Sequence, residues 1–160
     1  MLDTASMSAL PLLSTPVLAA PFPRLRVPLP LFDIAVQAGF PSPAEGYQQR
    51  AIDLNELLIT NPPATFILRV EGESMRTDDP GEQNIGHGDL LIVNRAVEAR
   101  NGHIVVACLD GEFTVKKLRR QGRRVWLEPA NRAFARIEVG EERDFQVWGV
   151  VTSKVTQFKV

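Results

Sequence analysis

The chain is poor in the residues that build disulfides and metal sites. Its 160 residues include one cysteine, Cys108, and two histidines, His87 and His103. A single cysteine cannot form an internal disulfide, which fits a reducing compartment. Without cysteines and histidines clustered at ligand spacing, we expect no metal site, and nothing else in the sequence calls for a cofactor.

An excess of positive charge is also absent. The 18 lysines and arginines are balanced by 19 aspartates and glutamates, for a net charge of -1. Because duplex binding depends on clustered cationic side chains, we expect no direct, sequence-specific contact with DNA. The one basic run covers residues 116–124, and such a run is most often a solvated hairpin tip.

Long apolar runs are missing as well, which argues against a membrane span. The first 20 residues are apolar, but they lack the positively charged start of a signal peptide, and Pro11 and Pro16 interrupt them. We therefore expect a cytoplasmic protein with no membrane association.

Proline is concentrated in the first 46 residues. The positions are Pro11, Pro16, Pro21, Pro23, Pro28, Pro30, Pro41 and Pro43. Proline lacks an N–H donor and has a fixed φ, so this stretch cannot form a long helix or a central strand. We expect an extended arm, in which residues 31–36 could be either helical or extended.

The remaining chain has the pattern of a β protein. One short helix is predicted over residues 53–58, with Asp53 and Glu56 placed as in a capping box. Runs rich in Val, Ile, Phe and Trp then predict strands at 64–70, 89–94, 103–109, 112–118, 123–127 and 145–155. Asp110-Gly111 predicts a two-residue hairpin turn. The predicted fold is mainly β, a highly curved or closed β domain with an extended, proline-rich N-terminal arm.

Two residues in this pattern carry possible chemistry. Ser74 follows a predicted strand, and Lys116 lies in the second strand of the predicted hairpin, next to Lys117. A buried, neutral lysine can activate a serine without any histidine. Side chains alternate across a strand, so the two lysines must point to opposite faces. Alternation alone does not decide which lysine is buried.

Several blocks of the sequence resemble the UmuD branch of the LexA/UmuD family, the self-cleaving SOS-response proteins with a Ser–Lys active site (peptidase S24). The blocks occur in the same order over about residues 32 to 151. They are 32–33 (FD), 39–44 (GFPSPA), 52–59 (IDLN and LLI), 72–75 (GESM), 88–93 (GDLLIV), 110–118 (DGEFTVKKL) and 149–151 (GVV).

The resemblance implies a role for each motif. Ser74 would be the nucleophile, Lys116 the general base, and Ala38-Gly39 the scissile bond. Residues 1–38 would be a cleavable arm, and residues 39–160 a Ser–Lys peptidase domain that begins with a linker over 39–52.

The resemblance also implies partners. Proteins of this type form homodimers, and a RecA filament on single-stranded DNA stimulates their cleavage. The trimmed form is an accessory subunit of the error-prone DNA polymerase V, together with a UmuC-type Y-family catalytic chain.

The sequence departs from the family pattern in three places. UmuD proteins usually have Cys-Gly at the cleaved bond, whereas Ala38-Gly39 is the LexA-like form. The acidic loop over residues 76–87 is longer than usual, and the region before Phe32 does not match. The longer loop and the unmatched N-terminal region both bear on how the arm docks.

Other classes of protein share this chemistry or this fold. A LexA-type or phage-type repressor carries a helix-turn-helix domain before the cleaved bond, and the residues preceding Gly39 are too few and too rich in proline for one. A signal-peptidase relative should have a membrane anchor. A non-cleaving interaction module, in which the Ser–Lys pair is vestigial, stays open at this stage.

Overall fold

A computed structural model describes residues 26–32 and 49–160, and it divides the chain into one unit up to Asp53 and a second unit from Leu54. In the first unit, β1 (Leu29–Phe32) pairs antiparallel with β2 (Gln49–Ile52). The part of the arm that includes β1 is therefore extended. Pro30 is tolerated in β1 because a two-stranded sheet has only edge strands. The bond Ala38-Gly39 lies outside the described residues.

Asp53 directly follows β2 and contacts the chain before β1. Its buried carboxylate accepts a hydrogen bond from the Val27 N–H at 3.1 Å. The predicted short helix is confirmed as α1, although it begins one residue later and covers Leu54–Leu58.

The second unit continues with a 3-10 turn at Pro62–Ala64 and then consists of strands. These are β3 (Thr65–Arg69), β4 (Leu90–Asn94), β5 (Ile104–Leu109), β6 (Glu112–Gln121), β7 (Arg124–Glu128), β8 (Ile137–Val139) and β9 (Phe145–Val155). They form one antiparallel sheet in the order β3-β4-β9-β5-β6-β7-β8. The mainly β prediction is confirmed. The edge strands of this sheet are β3 and β8.

Both faces of the central strands are buried. Along β5, Ile104 and Val106 contribute to one apolar cluster, while Val105 and Ala107 contribute to a second. Register shifts between β9 and each of its neighbours, β4 and β5, bend the sheet between these clusters. The sheet therefore has two cores, which explains why β5 reads as a continuous apolar run rather than an alternating one.

The hairpin between β5 and β6 forms as predicted. Asp110 and Gly111 both have positive φ, at 51° and 85°. Those angles match the turn that favours a right-twisted two-residue hairpin. This turn sets the register that pairs Val105 with Lys116.

Asp89 joins the C-terminal end of β9 to the loop before β4. Its buried carboxylate accepts hydrogen bonds from the Gly86 N–H at 3.0 Å, the Thr156 hydroxyl at 2.7 Å and Lys154 Nζ at 3.3 Å. Burial alone would raise the pKa of Asp89, but these three donors outweigh it and the pKa is lowered. The charged form therefore stabilises the fold above the ordinary carboxyl pKa, and this contribution is lost as the pH falls through the lowered value.

We expect Asp89→Ala to reduce the free energy of unfolding by about 1–3 kcal/mol, because it removes a buried carboxylate that accepts three hydrogen bonds. Urea unfolding at pH 7 measures the loss. Thr156→Ala removes only one of the donors and serves as the milder control. Equal stability of Asp89→Ala and the wild-type protein would contradict a structural role for this carboxylate.

Among the described residues, no helix is long and apolar enough to cross a membrane.

Candidate active site

The loop after β3 carries Ser74. Val70, the first residue after β3, is buried, and Gly72 turns the chain with φ of 90°. A tight turn follows, closed by the Arg76 N–H donating to the Glu73 carbonyl oxygen at 3.1 Å. Ser74 is half-buried within this turn, so its hydroxyl is held in place but not sealed from solvent.

Lys116 reaches this serine from the middle of β6. Its Nζ lies 2.8 Å from Ser74 Oγ, 2.8 Å from Thr114 Oγ1 and 3.0 Å from the Val115 carbonyl oxygen. Thr114 is two residues earlier on the same strand and so shares a face with Lys116. The structure therefore brings together the two residues that the sequence singled out, 42 positions apart.

The surroundings of Lys116 favour its neutral form. The residue is 7% exposed, and burial lowers the pKa of its amino group. Each of the three groups in contact with Nζ is uncharged. A neutral amine can donate to Thr114 Oγ1 and the Val115 carbonyl oxygen while directing its lone pair at Ser74 Oγ.

Lys117 points to the opposite face, as alternation predicted, and is also buried at 8% exposure. It forms an ion pair with Glu82 of the long acidic loop. Burial, and next Arg119, lower the pKa of Lys117, while Glu128 and Asp79 oppose that shift. A carboxylate in direct contact favours the ammonium, so Lys117 is poorly suited to be a base.

The interpretation of residues 116–124 as a solvated hairpin tip is therefore wrong for the first two residues, Lys116 and Lys117. The tip itself, around Gly122 and Arg123, is exposed. The lysines at the other end are buried because β6 runs through the centre of the curved sheet, between β5 and β7.

A second loop, between β7 and β8, borders the serine. Asn131 donates from its backbone N–H to the Ser74 carbonyl oxygen at 3.0 Å and from Nδ2 to the Glu73 carbonyl oxygen at 2.9 Å. Beside these contacts lies a polar cleft of about 590 Å³, lined by Arg76, Thr77, Asp78, Asp79, Ala130, Asn131 and Arg132.

Comparison with known proteins gives this arrangement a family. The sequence model of the family described as peptidase S24-like matches residues 30–152 of the chain. That is more than half of its length and includes Ser74 and Lys116. The chain belongs to the LexA/UmuD family of S24 peptidases.

Individual S24 relatives agree. Protein MucA of Salmonella typhimurium is 38% identical over 133 residues, which cover 82% of this chain and 87% of MucA. Protein SamA of the same species is 42% identical over 124 residues, covering 78% and 82% of the two chains. The LexA repressor of Bordetella parapertussis is 40% identical over 149 residues, covering 89% of this chain and 66% of the repressor.

Membership of the S24 family places the protein among the serine peptidases, with the self-cleaving, SOS-type role of that family in the response to DNA damage. Two residues of the site were not singled out from the sequence, namely Thr114, which contacts Lys116 Nζ, and Asn131, which contacts the serine loop. Thr114 could have been found, because it lies on the same strand face as Lys116. Asn131 could not, since it reaches Ser74 through the fold from a separate loop.

Proposed function

We propose that the protein is an autoproteolytic serine endopeptidase that cuts its own Ala38-Gly39 bond with a Ser74–Lys116 dyad. The observation that carries this proposal is the 2.8 Å contact between Ser74 Oγ and Nζ of the buried Lys116, whose other hydrogen-bond partners carry no charge. A lysine whose pKa is lowered by burial and that lies within hydrogen-bond distance of a serine hydroxyl meets the requirements for a general base and its nucleophile.

The reaction begins with proton transfer. Neutral Lys116 takes the proton of Ser74 Oγ as that oxygen attacks the carbonyl carbon of Ala38. The tetrahedral intermediate carries a negative oxygen, which the Ser74 N–H can stabilise. Collapse breaks the bond to Gly39, and the Lys116 ammonium gives its proton to the departing amine. Thr114 and the Val115 carbonyl oxygen hold Nζ in place throughout.

An ester between Ser74 and Ala38 remains after the first half of the reaction. Lys116, neutral again, takes a proton from a water molecule, which attacks the ester carbonyl. Cleavage of the ester returns that proton to Ser74 Oγ and releases residues 1–38 with a new carboxyl terminus. The cycle consumes one water and needs no metal or cofactor.

Substrate and catalyst share a chain, so the effective concentration of the scissile bond is set by how often the arm docks. We propose that a RecA filament on single-stranded DNA acts at this step in the cytoplasm. By the resemblance to UmuD and the UmuD-like relatives MucA and SamA, the trimmed protein acts as a homodimeric accessory subunit of a UmuC-type translesion polymerase. The arm (1–38), linker (39–52) and peptidase domain of this scheme are part of the same proposal.

The test is the intact mass of the purified protein after incubation with a RecA filament. We expect a new species that begins at Gly39, formed by the wild-type protein and absent from Ser74→Ala, which lacks the nucleophile. Thr152→Ala is the matched control and should cleave normally, because it also removes a hydroxyl, whose hydrogen bond among the described residues is to the Ile92 carbonyl oxygen. Absence of cleavage even at alkaline pH would leave a non-cleaving interaction module as the better account.

A further inference from the structure

Asn131 contacts the nucleophile loop at two successive peptide groups. Its side-chain Nδ2 donates to the Glu73 carbonyl oxygen, and its backbone N–H donates to the Ser74 carbonyl oxygen. The loop around Ser74 is therefore held from outside by a residue 58 positions away from Glu73.

The side-chain amide of Asn131 is itself fixed. Its Oδ1 accepts a hydrogen bond from the Ala133 N–H at 3.0 Å, while its main-chain carbonyl oxygen accepts one from the Phe134 N–H at 3.0 Å. Each end of the amide thus meets the only type of partner it can bind, an acceptor for the NH₂ group and a donor for the oxygen. The side chain has one good orientation, and it is half-buried in that orientation.

This contact determines where the Ser74 N–H points. In a planar trans peptide the C=O and N–H groups point in opposite directions. Since Asn131 holds the Glu73 carbonyl oxygen, the N–H of the same peptide unit, which belongs to Ser74, points away from Asn131. In the described part of the chain, no hydrogen bond engages that N–H.

We propose that Asn131 is a positioning residue, which orients the Glu73–Ser74 peptide so that the Ser74 N–H can bind the oxyanion of the reaction. The inference rests on the proposed function. It assigns to the β7–β8 loop a part in catalysis, although Asn131 touches neither the scissile bond nor Lys116 Nζ.

The expected effect is moderate. Removing an oxyanion donor outright costs about 10²–10³ in rate. The Arg76 N–H also contacts the Glu73 carbonyl oxygen, so the peptide keeps one restraint when the asparagine amide is lost. We therefore expect Asn131 variants to lose about 10- to 100-fold in rate, a part of that full cost.

Two substitutions in the full-length protein separate positioning from simple support of the loop. Asn131→Ala removes both side-chain contacts. Asn131→Asp is nearly isosteric and keeps an oxygen for the Ala133 N–H, but it directs a second oxygen at the Glu73 carbonyl. Both should slow self-cleavage and the labelling of Ser74 by a fluorophosphonate probe. The pH at which Asn131→Ala reaches half its maximal rate should not move, since the contacts of Lys116 are untouched.

Asn101→Ala is the matched control, because this exposed asparagine accepts a hydrogen bond from the Arg120 N–H at 2.8 Å in a different turn, and both rates should be unchanged. Wild-type rates in Asn131→Ala would overturn the proposal. A full rate in Asn131→Asp would also overturn it, because the hydrogen bond from the Ala133 N–H, and not the one to the Glu73 carbonyl oxygen, would then be the contact that matters. A rate loss explained by a lower unfolding temperature would also overturn it. If the wild-type protein neither cleaves nor labels, the proposed function fails first and this inference with it.

Discussion

Replacement of Lys116 by methionine is expected to reduce the rate of self-cleavage by about 10²–10⁴-fold, the usual contribution of a positioned general base. Methionine has a similar length and fills a buried site without a charge, so the fold should survive. Lys116→Arg should be as inactive as Lys116→Met, because a guanidinium cannot lose its proton at any working pH. The first-order rate of cleavage at alkaline pH, without a partner, measures the effect.

The neighbouring residue provides the control. Lys117→Met makes the same chemical change on the opposite face of β6, where the partner is Glu82 rather than Ser74. We expect its cleavage rate to change by less than about tenfold, since no proton-transfer group is lost. If Lys117→Met were the inactive variant and Lys116→Met the active one, the assignment of the base would be reversed.

The second large effect is on pH dependence. Only the neutral form of Lys116 can accept the serine proton, so the rate should rise about tenfold per pH unit while the amine is mostly protonated. Burial lowers the pKa of Lys116 from an ordinary value of 10.5, so the rate should level off below that pH. Cleavage rates measured from mildly acidic to alkaline pH give the profile.

The same group should affect stability in the matching direction. Between the lowered pKa of folded Lys116 and the ordinary value of 10.5, the unfolded chain binds the proton and the folded chain does not. The contribution of Lys116 to the free energy of unfolding therefore rises with pH across this window. Lys116→Met should remove that contribution.

A rate profile that is flat with pH in the wild-type protein would argue against a lysine base.

Much of the fold followed from local pattern. Short runs rich in Val, Ile, Phe and Trp, bounded by turns, identified six strands of the large sheet to within about three residues, because such runs require burial on at least one face. Strand β8 was missed, since its three residues are held by pairing with β7 rather than by their own pattern. Strands β1 and β2 were missed for a similar reason, as each has four residues and they are paired with each other.

The candidate site shows the same contrast between what local pattern predicts and what tertiary packing adds. The order of residues is enough to identify Ser74 and Lys116 as candidates, and strand alternation is enough to place Lys116 and Lys117 on opposite faces. Their partners depend on the packed fold, because the contacts between Lys116 and Ser74, between Lys117 and Glu82, and between Asn131 and Glu73 join separate elements. Alternation is a property of one strand, whereas burial and partner choice depend on which strands and loops pack around it, and no local pattern specifies that.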